Sequence, residues 1–315
     1  MFKLNDGAFQ NGQQDTEGLP LSVKAYHYNG MNDFCRVISL ELDRLYFHPS
    51  RHLDDFHRRS TPNDEDTKNC PEYNDSSHED DKSEHLVFII EPTTFEHDFI
   101  DSNPPLRVNT FFNPKTKILI VKMLGPVHEQ AAMAFNDMLI LALTPMGLHK
   151  AIQSWGNTVM LATDGTKKQA DGGWGPRRTP RNAPRRPTVV LEIANSETYT
   201  KLRRDSQYWV DPERQEANVT IGVKLHTEKH EMTIDQWQWS SDTSRSINTT
   251  HLNIRRNPNG TVYFHPDSPL PQLVIPFHLL FRRSAAENRE HDIVIAAQDL
   301  IEFATMVWEV QFEQH

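Results

Sequence analysis

The feature that most constrains this chain is a single acid set inside an apolar run. Pro187-Thr188-Val189-Val190-Leu191-Glu192-Ile193-Ala194 reads as a buried strand but for Glu192. A carboxylate in such a place costs several kcal/mol unless a cation, a metal or hydrogen bonds meet it. Upstream, Lys167-Lys168-Gln169-Ala170-Asp171-Gly172-Gly173-Trp174 supplies a second acid, Asp171, as its natural companion. Two carboxylates brought together in this way predict a divalent-metal site.

The charge pattern separates this region from the rest. The net charge is −10, yet residues 64–84 carry nine acids against two lysines, and residues 167–186 carry seven bases against Asp171. Bulk acidity therefore says little about the surface near Asp171. Cys35 and Cys70 form neither a disulfide framework nor a zinc-ligand set. The N-terminus lacks the pattern of a signal peptide, and no apolar run reaches the length of a membrane span. The expectation is an intracellular protein, nuclear or cytoplasmic, with no membrane partner.

Along the chain, residues 1–59 read as a polar arm with one helix over 32–47. Residues 60–85 read as an acidic disordered insert, too poor in apolar groups to offset ordering. A core over 86–226 follows. It has strands at 86–90, 108–112 and 117–123, a helix at 127–143 stopped by Pro145, and strands at 158–162, around Asp171 and at 187–194. A helix at 196–209, with Asn195 as cap and Glu197 in its first turn, leads to a strand at 218–225. Residues 227–315 read as an extension packing on the core. It carries one alternating strand at 231–239, short strands at 261–264, 273–275 and 292–295, and a closing helix from 298 to about 312. Helices interleaved with strands predict an α/β (α+β) fold with a mixed central sheet and flanking helices.

Other chemistries lack their residues. There is no Gly-Xaa-Ser-Xaa-Gly elbow, and Asp164-Gly165-Thr166-Lys167-Lys168 lacks the upstream glycine of a phosphate loop. His226 and His230 are four apart without the order of a zinc-binding helix. The loop Arg177, Arg178, Arg181, Arg185 and Arg186 suits phosphate contacts, with Trp174 placed to stack on a base. A solvated loop or a nuclear-import patch would have the same composition.

Gly125 and His128-Glu129 open the first core helix, Ala170-Asp171 follows, and Leu191-Glu192-Ile193 leads to Ser196 and to Tyr208-Trp209-Val210-Asp211-Pro212. This order resembles the restriction-endonuclease-like PD-(D/E)XK nuclease superfamily over about residues 105–226, in particular its branch of candidate nucleases. The resemblance implies a restriction-endonuclease-like core acting on nucleic acid by magnesium-dependent phosphodiester hydrolysis. It implies Asp171, Glu192 and the Ile193 carbonyl as metal ligands, with Glu129 as the helix acid. The superfamily's lysine two residues after the strand glutamate is Ala194 here. Lys201 or Lys168 would then assist the attacking water. Two alternatives stand beside this: a nuclease fold without catalysis that binds nucleic acid or protein, and an interaction protein whose acidic insert covers the basic loop.

Overall fold

The structure, a computed structural model, describes residues 13–20, 23–46, 83–102, 108–156, 158–214, 217–226, 228–266, 268, 271–287 and 289–312. Most of the acidic stretch, residues 60–82, lies outside them.

Two mixed sheets carry the fold. The first contains β1 (Lys24–His27), β2 (His85–Ile89), β3 (Val108–Asn113), β4 (Ile118–Met123), β6 (Val159–Leu161) and β7 (Lys167–Gln169), in the order β1-β2-β4-β3-β7-β6. Its helices are α1 (Gln13–Thr16), α2 (Met31–Tyr46) and α3 (Pro92–Phe95), the last running into a π-helical turn at Glu96–Asp101. Phe34, Val37 and Ile38 of α2 pack on Leu86 and Phe88 of β2, and the Phe34 and Phe88 rings stand 4.9 Å apart.

The second sheet is built from β5 (Ile152–Ser154), β8 (Gly172–Pro176), β9 (Val189–Ala194), β10 (Val219–Leu225), β11 (Glu231–Ser240), β12 (Arg245–Arg256) and β13 (Val262–Phe264). Its strands lie in the order β13-β12-β11-β10-β9-β8-β5. On one face lie α4 (Pro126–Leu143) and α7 (Ala297–Phe312), with α5 (Tyr199–Val210) on the other. A small hairpin of β14 (Leu273–Ile275) and β15 (Ile293–Ile295), with α6 (Phe277–Phe281), completes the same core. The fold is a mixed α/β one, as its sequence pattern requires.

Strand alternation decides where the acid goes. Val189, Leu191 and Ile193 of β9 and Val219, Ile221, Val223 and Leu225 of β10 enter the core beneath α4 and α7. Successive side chains on a strand point to opposite faces, so Val190 and Glu192 turn toward α5, where Val190 packs with Trp209. β9 and β10 are parallel, with Gly222 beside Glu192. A Cβ at Gly222 would stand 2.9 Å from the Ser206 hydroxyl, so glycine there permits the close approach of α5.

Four expectations need correction. Part of the expected polar arm is built into the first sheet: β1 pairs in parallel with β2, and Ala25 is fully buried. Ser83, Glu84 and His85, placed at the end of the insert, are buried, and His85 opens β2. The cap of α5 is Thr198, whose side chain accepts from the Lys201 amide at 3.2 Å, so Glu197 precedes the helix. β12 is a twelve-residue strand where none was expected. Its composition is polar because one face is solvated, with Leu252 and Ile254 alone turned into the core. β11 to β13 continue the second sheet, and α7 packs on α4. No helix among the described residues is long and apolar enough to cross a membrane.

A buried ionic centre as candidate functional site

The two sheets meet where the segment from β7 to β8 passes from one to the other, and Asp171 sits at that junction. Its Oδ2 accepts from the Ile193 amide at 2.7 Å and from the Lys122 ammonium at 2.7 Å. Its Oδ1 accepts from Asn109 Nδ2 at 2.6 Å and lies 3.0 Å from His128 Nε2. Asp171 immediately precedes β8, the antiparallel neighbour of the strand that carries Glu192, and each acid has its own cation.

Lys122 reaches across from β4. Its Nζ lies 2.7 Å from Asp171 Oδ2, 2.5 Å from the Ile193 carbonyl oxygen and 2.9 Å from Glu197 Oε1. It donates to Asp171 and to the Ile193 carbonyl, and Glu197 completes the seat as an ion pair. His85 Nε2 lies 3.2 Å from the same Glu197 oxygen. Glu192 is met by Lys168 Nζ at 3.2 Å and by the Trp209 indole N–H. Lys168 also pairs with Asp205 at 2.8 Å, and Asp205 pairs with Lys201 at 2.5 Å. Lys122, Lys168, Glu192, Glu197 and Lys201 are all buried.

Electrostatics follow from burial and pairing. For Lys122, burial works against the charge, but Asp171, Glu197 and Glu192 outweigh it and hold the ammonium well above its ordinary range. Burial alone would raise Asp171; the charges of His128 and Lys122 instead hold it well below the usual carboxylate range. Glu197 is likewise held low, burial being overcome by Lys122 and His85. Glu192 behaves in the opposite way. Burial pushes it up to about 7, Lys168 offsets only part of that, and Asp171 and Asp205 add to it.

Of the predicted site residues, Asp171, Glu192, Lys168, Lys201 and the Ile193 carbonyl come together. Glu129 does not. On α4 the buried face runs through His128, Ala131, Phe135 and Met138, which turns Glu129 out to solvent while His128 points at Asp171. Trp174 is corrected too: it is buried against Phe135 and donates its N–H to Asn136 Oδ1 at 3.0 Å, so its ring cannot stack on a base. The Arg loop follows β8 at its far end. Asp171 adjoins one end of that strand and Arg177 the other, about 20 Å away at strand rise. Arg177, Arg178, Arg181 and Arg185 are exposed there, and Arg185 lies over the Trp155 ring.

Sequence reading missed Lys122, Glu197, Asp205, His85 and Asn109. Lys122 carried a usable signal, since it is the lone charge in Ile118-Leu119-Ile120-Val121-Lys122-Met123 just as Glu192 is in its own run.

The residues expected to hold magnesium do not fit it as arranged. Asp171 and the Ile193 carbonyl converge on one point, and that point is filled by the Lys122 ammonium. Its oxygens stand at hydrogen-bond distances of 2.5 to 2.9 Å, whereas magnesium demands about 2.0–2.1 Å in an octahedron. Among the described residues no group of three or more His, Cys, Asp or Glu side chains is placed to hold a metal ion. A narrow cavity of about 30 Å³ adjoins the cluster, lined by Asp171, Glu192, Glu197, Lys168, Lys201 and Asp205 among others.

No protein-family model and no curated protein sequence matches the chain. Among solved structures it is similar to a candidate nuclease belonging to DUF820 from Anabaena variabilis, with a TM-score of 0.37 and 11% sequence identity, over 66% of this chain and 97% of that one.

The centre makes two expectations measurable. Lys122→Met leaves Asp171 and Glu197 buried without their shared cation and should destabilise the protein by about 3–5 kcal/mol in chemical denaturation. Adding Asp171→Asn and Glu197→Gln to it should recover most of that loss. The pH dependence has a definite sign at Glu192. Its folded pKa is above its ordinary 4.5, reaching about 7, so between those values the folded state holds a proton that the unfolded state releases. Its contribution to stability therefore falls as pH rises through that window. Glu192→Gln should remove this decline from the denaturation midpoints across that window.

Proposed function

We propose that this chain is a restriction-endonuclease-like protein that binds nucleic acid, with its carboxylate centre serving to hold the fold together. The observation that carries the reading is the three-point seat of Lys122, in which an ammonium takes the cation position between Asp171 and the Ile193 carbonyl. What supports the nuclease-like part is the sequence resemblance over 105–226. What supports nucleic acid is the loop bearing Arg177, Arg178, Arg181 and Arg185, all exposed between β8 and β9.

A second reading is magnesium-dependent phosphodiester hydrolysis, favoured by the oxygen donors of Asp171, Glu192 and the Ile193 carbonyl, with Lys168 and Lys201 close by. It requires Lys122 to withdraw from its seat. Cleavage that needs magnesium and is lost in Glu192→Ala would favour it over the first.

The test is binding of labelled DNA and RNA, by fluorescence anisotropy across a salt series without divalent ions. We expect affinity to fall steeply with salt. Changing Arg177, Arg178, Arg181 and Arg185 together to Gln should weaken binding and flatten the slope of log K against log salt. The flattening should be about 0.7–0.9 for each phosphate that the arginines no longer neutralise. Affinity that ignores both salt and these substitutions would refute the reading.

A further inference from the structure

We infer that residues 13–20 form a strap, anchored in the first sheet and latched to α5, whose release opens the ionic centre. The strap acts on that centre whatever the arginine loop binds.

Its contacts on the two sides differ in kind. On the first sheet Leu19 is buried and packs with Val87 of β2 and with Ile118 and Ile120 of β4. Asp15 adds hydrogen bonds from Asn113 Nδ2 at 3.1 Å and from the Thr116 hydroxyl at 2.6 Å. On α5 the contacts are polar. The Thr198 hydroxyl donates to the Gly18 carbonyl at 2.7 Å, and Arg204 donates to the Glu17 carbonyl at 3.3 Å and to its carboxylate at 2.5 Å. The Glu17 and Arg204 side chains are 62% and 34% exposed, so salt and solvent screen this pair. An apolar anchor on one side and a solvated latch on the other let the strap leave α5 while it stays on the sheet.

Gly18 is where the strap touches α5 most closely. Its φ is +82°, and a Cβ there would stand 3.1 Å from the Lys201 amide nitrogen, so glycine alone fits without strain. Lys201 is buried beneath this contact although it lies in the first turn of the helix.

Lys201 is the residue through which the strap reaches the centre. With Phe111 and Asp205 it lines both a hollow of about 550 Å³, which Asp15 also borders, and the narrow cavity that touches Lys168 and Glu192. These three side chains separate the hollow from the centre. The cavity behind them, of about 30 Å³, has the volume of one water molecule. A ligand in the hollow therefore reaches Glu192 only when the partition moves. Lys201 holds Asp205 at 2.5 Å, and Asp205 holds Lys168 at 2.8 Å. Lifting the strap brings water to Lys201, weakens its pairing with Asp205 and frees the Lys168 side of the centre.

The experiment is pulsed acetylation of lysines in the full chain, read residue by residue by mass spectrometry. It compares the parent with Arg204→Gln, which removes the latch, and Gly18→Ala, which drives a methyl group against the α5 backbone. Acetylation of Lys201 and Lys168 should rise about tenfold in Arg204→Gln, as the loss of one charge-assisted hydrogen bond implies. Gly18→Ala should raise it at least as much. Lys224, tied to the Asn195 carbonyl at 2.6 Å and away from both the hollow and the cavity, should react at its parent rate. In the parent, added salt should speed the labelling of Lys201 and leave Lys224 unchanged. Rates at Lys201 and Lys168 that are equal in all three proteins would overturn the strap. An equal rise at Lys224 would overturn it too, because residues 13–20 would then support the whole fold rather than close one opening.

Discussion

The contact on which this structure depends is the ammonium of Lys122 held between Asp171, the Ile193 carbonyl and Glu197. Lys122 comes from the first sheet; Ile193 comes from the second, and Glu197 from the turn that leads to α5. Asp171 is the hinge between the sheets. One buried cation therefore joins the elements that the chain must bring together for the two sheets to close. A buried charge with its oxygen partners in place is tolerated, and the same charge with one of them removed is not. That asymmetry makes the junction specific, since other pairings of these strands would strand a charge in the interior.

The centre pairs its acids with lysines, and with His85 and His128 beside Glu197 and Asp171. Asp171, Glu192, Glu197 and Asp205 face Lys122, Lys168 and Lys201, four carboxylates against three ammoniums. Glu192 is the least compensated of the four: burial raises it, Asp171 and Asp205 add to the rise, and Lys168 at 3.2 Å offsets only part of it. Its raised pKa follows from that position. A site built this way answers the energetic problem posed by an acid in a buried strand without needing a metal to do so. Its oxygen donors are nonetheless those a hard cation would choose, which is why sequence reading predicts one.

Much of the fold was legible. β9, β10 and α4 were readable because their apolar periodicity matches their burial, and α5 was placed within a few residues. What failed has physical causes. Asn195 and Thr198 are both good caps, and only the structure shows which side chain meets an amide of the helix. β12 hides because a half-solvated strand need carry few apolar residues. In the centre, Glu192 was visible as a misfit in an apolar run with Asp171 as its companion, but the distant partner Lys122 was not. Sequence shows that Glu192 and Asp171 need cations and cannot show which lysine, near or distant along the chain, the topology delivers. Glu129 was misplaced for a simpler reason, since one residue along a helix turns a side chain through a quarter circle.

The most direct test is nuclear magnetic resonance of protein isotope-labelled at lysine, observed at mildly acidic pH and low temperature, with and without millimolar magnesium. A buried ammonium held by two hydrogen bonds and an ion pair exchanges its protons slowly. The account predicts a protected lysine ammonium signal that disappears in Lys122→Met and does not change when magnesium is added. Absence of a protected signal from Lys122, or its loss on adding magnesium, would show that the cation seat is open and contradict the account.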